Sequence, residues 1–72
     1  MILDELIQQQ SEKLLATAQR IIPNITNEDL LQPNDFPSLE LHPHFRYEEG
    51  ILDGLRVAKM ALLTENRTVL HS

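Results

Sequence analysis

Apolar and polar residues along this 72-residue chain alternate with the period of a helix, in two long segments separated by a proline-rich stretch. Residues 2–22 contain no Gly or Pro. At 100° per residue, Leu3, Ile7, Leu14, Ala18 and Ile21 fall on one stripe, widened by Leu6, Leu15 and Ile22. Asp4 and Glu5 at the start and Arg20 near the end suit the helix dipole, and Pro23 stops the segment. A second helix is predicted over about 43–65, with Pro43 at its first position and Asn66 as its stop, leaving a short tail. Its main stripe is Tyr47, Ile51, Leu55, Ala58 and Leu62. Phe45, Leu52 and Leu63 project roughly 80–100° away from the stripe's centre, so the apolar arc is too wide for one partner helix to cover.

Residues 23–42 form the connection, with Pro23, Pro33 and Pro37 as breakers. Thr26 and Asp29 have the spacing of a capping box, which predicts a short helical turn ending near Gln32. Leu30, Leu31, Phe36, Leu39 and Leu41 are expected to pin the connection to the helices.

Composition bears on how such a fold is stabilised. A chain this short makes one domain with a small core, for which disulfides, a metal or oligomerisation are the usual supports. There is no Cys, which excludes disulfides, thiol nucleophiles and Cys-based zinc sites, so oligomerisation is favoured. Eleven acids against six bases give a net charge of −5 and argue against nucleic acid as a partner. The acidity is local: residues 23–50 carry −5, against −1 before them and +1 after. No apolar run approaches the roughly 18 residues of a membrane span, and the start lacks a basic signal-peptide region. A soluble, cytoplasmic protein without a membrane partner is expected.

Several residues invite a chemical reading. Gly50, Gly54 and Ala58 recur every four positions, a spacing that lets a second backbone approach closely, within the hairpin or across a dimer. With Leu14, Leu55 and Leu62 they form the expected helix–helix or dimer contact. Gln10 lies within the first stripe and Thr17 at its margin, where a polar group either fixes register or marks a wet seam. Glu40, His42, His44 and Glu48 are metal-ligand types, but their spacing matches no zinc signature and Pro43 divides the two His. Glu49 and Asp53 share a polar face with Arg46 and Arg56, which favours a surface Asp53–Arg56 pair over a carboxylate site. No phosphate loop or catalytic triad can be assembled, so no cofactor and no catalytic residue is assigned.

The expected fold is therefore all-α: two long helices in an antiparallel hairpin, with a Pro-rich connection carrying a short helical turn. Two such hairpins would pair as a homodimeric four-helix bundle. The charges favour the antiparallel arrangement, placing the basic end of the second helix near Asp4 and Glu5 and its acidic start near Arg20. The expected function is a non-enzymatic interaction or adaptor module with an unidentified protein partner. Its candidate partner surface comprises Phe45, Leu52, Leu63, Asp35, Phe36, Glu48 and Glu49. Alternatives are an acidic, antitoxin-like or anti-regulator partner of a basic protein and, less favoured, a metal-dependent enzyme assembled across a dimer.

Overall fold

A computed structural model of the chain describes the backbone of residues 2–71 and the side chains of residues 2–65. The chain forms a helical hairpin: α1 (Ile2–Ile21), two 3-10 turns (Asp29–Leu31 and Pro33–Asp35), a single-turn α2 (Pro37–Glu40) and α3 (Pro43–His71). No strand occurs among the described residues. The two long helices run antiparallel, since Asp4 near the start of α1 meets Lys59 late in α3 while Thr17 meets Glu48.

The capping box closes as its spacing predicts. The Thr26 N–H donates to Asp29 Oδ2 at 3.0 Å, and the Asp29 N–H donates to Thr26 Oγ1 at 3.3 Å. The 3-10 turn that follows ends at Gln32, before Pro33. The connection contains more regular structure than the single expected turn, because Pro33 and Pro37 each start a further turn. His42 opens α3, its Nδ1 accepting from the Phe45 N–H at 3.3 Å, with Pro43 in the first helical position. Asn66 does not stop α3, which continues to His71. Asn costs a helix interior only several tenths of a kcal/mol, and no Gly or Pro follows it. At about 1.5 Å per residue, α3 is near 43 Å long and α1 near 30 Å, so α3 overhangs and the molecule extends 49 × 20 × 20 Å.

The core is small: Leu14 and Ala18 of α1, Ile25 and Leu39 of the connection, and Phe45 and Leu52 of α3. Phe36 and Leu30 are half-buried against it. Leu31 and Leu41, also expected to pin the connection, are 78% and 81% exposed. Leu30 and Leu31 are neighbours in a 3-10 turn of about three residues, and Leu39 and Leu41 stand two positions apart, so neither pair can face inward together.

The largest correction concerns the rotation of α3. Its expected main stripe is turned out: Tyr47 is 69% exposed, Ile51, Ala58 and Leu62 are exposed, and only Leu55 is half-buried. The face against α1 is instead Phe45, Glu48 and Leu52, continued by half-buried Leu55 and Lys59. These fall at i, i+3, i+7, i+10 and i+14, a face rotated by about 80° from the expected one.

Candidate functional site

The rotation of α3 gives the hairpin two unlike flanks with a polar cluster at the seam between the helices. Glu48 stands at the centre of that cluster and is 1% exposed. Thr17 donates its hydroxyl to Glu48 Oε1 at 2.6 Å, and His44 Nε2 lies 2.6 Å from the same oxygen. Two turns back along α1, Gln10 Nε2 donates to the Glu48 backbone carbonyl at 3.0 Å. Glu48 Oε2 is buried and makes no hydrogen bond among the described residues. A carboxylate taken out of water carries an effective penalty of several kcal/mol, and each charge-assisted hydrogen bond returns about 1.5–3 kcal/mol. With one oxygen paired twice and the other not at all, the cluster is a costly element of the fold. It resolves the role of Gln10 and Thr17: both fix the register of α1 against α3 through a single residue.

Burial of Glu48 also corrects the expected partner surface. Phe45, Glu48 and Leu52 are interior residues of this chain and cannot form an exposed patch. The signal lay in their spacing, since Glu48 is three positions after Phe45 and four before Leu52. Of the others, Asp35 and Leu63 are exposed, Phe36 is half-buried against the core, and Glu49 is half-buried and pairs with Arg46 at 3.4 Å. The Arg46–Glu49 pair stands in place of the expected Asp53–Arg56 pair, which does not form. Lys59 Nζ reaches Asp4 Oδ1 at 2.6 Å, the charge match that antiparallel packing predicts. Its hydrogen bond, and secondarily its charge, hold the Asp4 carboxyl below the ordinary 3.8.

One flank is the open face of α3. Ile51, Ala58 and Leu62 line it, with Leu55 at its inner edge. Gly50 and Gly54 lie along its outer margin, and a Cβ at either would meet nothing within 4 Å. Leu14 is therefore part of the α1–α3 contact, whereas Gly50, Gly54 and Ala58 are not. Nothing within the hairpin uses the small side chains of these three residues.

The other flank, beneath the connection, holds a groove of about 480 Å³. Its walls are α1 from Gln8 to Leu15, the first 3-10 turn, and α3 from Glu49 to Arg56. Leu14, Leu15, Leu30 and Leu52 make the floor, and Glu12, Glu49, Asp53 and Arg56 stand at the walls.

His42 and His44 are drawn into different tasks, one at the start of α3 and the other beside Glu48. Among the described residues no group of three or more metal-ligating side chains converges, and no helix is long and apolar enough to cross a membrane. No protein-family model, curated protein or solved structure matches this chain.

Proposed function

We propose that this chain is a non-enzymatic protein-interaction module that works as a homodimer, with the open face of α3 as its self-association surface. The observation carrying this reading is the imbalance between buried and exposed apolar side chains. Among the described residues five large ones reach the core (Leu14, Ile25, Leu39, Phe45 and Leu52), while ten are exposed. Three of those ten, Tyr47, Ile51 and Leu62, share one face of α3 with exposed Ala58 and half-buried Leu55. A contiguous apolar face on so small a domain marks an interface, and pairing with a second hairpin would enlarge the core without disulfides or metal. Gly50, Gly54 and Ala58 support helix-on-helix contact, because open space beside them admits a second backbone at close range.

Sedimentation equilibrium across the micromolar range tests this reading. A dimer mass is expected, with Ile51→Glu and Leu62→Glu each shifting the chain to monomer. Gly54→Ala gives an opposed pair of effects. Within the hairpin the added methyl meets no obstacle, so monomer stability rises by about 0.5–1 kcal/mol from helix propensity, while the dimer weakens. A monomer mass throughout, with cooperative unfolding, would refute the proposal.

A further inference from the structure

The groove beneath the connection lies on the opposite flank from the proposed dimer face and differs from it in kind. Its floor is apolar, formed by buried Leu14 and Leu52 with half-buried Leu15 and Leu30, and Leu31 stands at its lip 78% exposed. Three carboxylates, Glu12, Glu49 and Asp53, share its walls with one guanidinium, Arg56. Arg46 pairs with Glu49 from outside the groove, which leaves Glu12 and Asp53, both exposed, as the acids available to a visitor. Glu12 spends Oε1 on the Gln8 side-chain amide at 3.0 Å. Both helical walls span seven residue steps, about 10 Å at 1.5 Å per residue. That length matches two apolar side chains one helical turn apart on an incoming helix, roughly 5–6 Å between anchors plus their own width.

From this combination we infer that the groove is a docking site for a basic amphipathic helical segment of another protein. Two aliphatic side chains at i and i+3 or i+4 would enter the leucine floor, with flanking Lys or Arg meeting Glu12 and Asp53. A second copy of this chain is a poor occupant, since its net charge is −5 and the walls are acidic. Nucleic acid is repelled for the same reason. The site is separate from the dimer face, so its test does not depend on self-association.

Fluorescence anisotropy on the full chain tests the inference with three labelled helical peptides. One carries two Leu four positions apart among Lys and Ala; the second replaces Leu by Ser; the third replaces Lys by Glu. The Lys–Leu peptide is expected to bind at least about tenfold more tightly than either other peptide, the scale of one good anchor. Leu31→Ser, which removes an exposed side chain, and the charge reversals Glu12→Lys and Asp53→Lys should each weaken it by a similar factor. Glu5→Lys and Glu40→Lys reverse exposed acids outside the groove and should change affinity less than about twofold. Helicity by circular dichroism establishes that each variant is folded. The inference is overturned if none of the peptides binds, if the Ser peptide binds as well as the Leu peptide, or if the Glu5 and Glu40 reversals weaken binding as much as those in the groove.

Discussion

Replacing Thr17 by Val tests whether the buried Glu48 cluster is a net cost to the fold. The substitution keeps the shape of a side chain that is 4% exposed and removes only the hydroxyl that donates to Glu48 Oε1 at 2.6 Å. The carboxylate stays buried with His44 as its one remaining side-chain donor, and Oε2 still makes no hydrogen bond. Losing a hydrogen bond to a charged group costs about 1.5–3 kcal/mol. For a domain of this size each kcal/mol moves Tm by about 4–8 °C, so the single variant should melt roughly 6–24 °C lower. Adding Glu48→Met to Thr17→Val should reverse the loss. The double variant removes the carboxylate with its unpaired oxygen and leaves the Gln10 bond in place, because that bond is to the backbone carbonyl. Replacing a buried ionic group by an apolar one of similar volume is often neutral or stabilising by about 1–4 kcal/mol. Glu48→Met alone should be mild, since a Thr hydroxyl within a helix can turn to the carbonyl four residues back. Urea and thermal unfolding followed at 222 nm, at one fixed protein concentration, measure all four corners of the cycle. The reasoning fails if Thr17→Val lies within about 0.5 kcal/mol of the parent, or if the double variant is no more stable than Thr17→Val.

The rotation of α3 yields a paired prediction: Phe45→Ala, at a side chain that is 0% exposed, should cost about 3–5 kcal/mol and leave little folded chain, whereas Tyr47→Ala, at 69% exposure, should leave monomer stability nearly unchanged in the same unfolding assay. The Asp4 carboxyl, held below 3.8 chiefly by the Lys59 hydrogen bond, should titrate below the ordinary value by NMR and rise toward it in Lys59→Met. Because its folded-state value is depressed, its contribution to stability is present above the unfolded value and disappears as pH falls through the folded one, so Asp4→Asn should flatten that acid limb.

Much of the architecture was legible because local chemistry and the tertiary fold agree. An uninterrupted run without Gly or Pro gave α1 to within a residue of its end, and Pro43 marked the first residue of α3. Thr26 and Asp29 close their capping box as spaced, and Lys59 meets Asp4 as antiparallel charge matching requires. The rotation of α3 was not legible, for a definable reason. Its apolar arc includes both the Tyr47–Ile51–Leu55 stripe and the Phe45–Leu52 face, and periodicity measures the width of an arc without saying which half meets α1. The connection makes that choice: Ile25, Leu39 and half-buried Phe36 form one core with Phe45 and Leu52. Glu48, between the last two in the helical register, was concealed by its own polarity.

That choice links the interior of the hairpin to its exterior. Turning α3 by about 80° would bury Ile51 and Leu62 and return Glu48 to water, but it would strip Phe45 and Leu52 from the core they share with the connection. This chain does the reverse, holding a half-satisfied carboxylate at the seam and leaving its most regular apolar stripe open. Natural sequences break local rules of this kind chiefly where function requires it. The buried cluster and the open stripe are then two consequences of a single rotation, with Gln10, Thr17 and His44 holding Glu48 inward and the stripe outward. On this view, Thr17→Val should weaken self-association as well as the fold, through loss of that rotation. The Thr17→Val/Glu48→Met double variant should recover both stability and any self-association, because a methionine buried between Phe45 and Leu52 keeps the same face of α3 against α1.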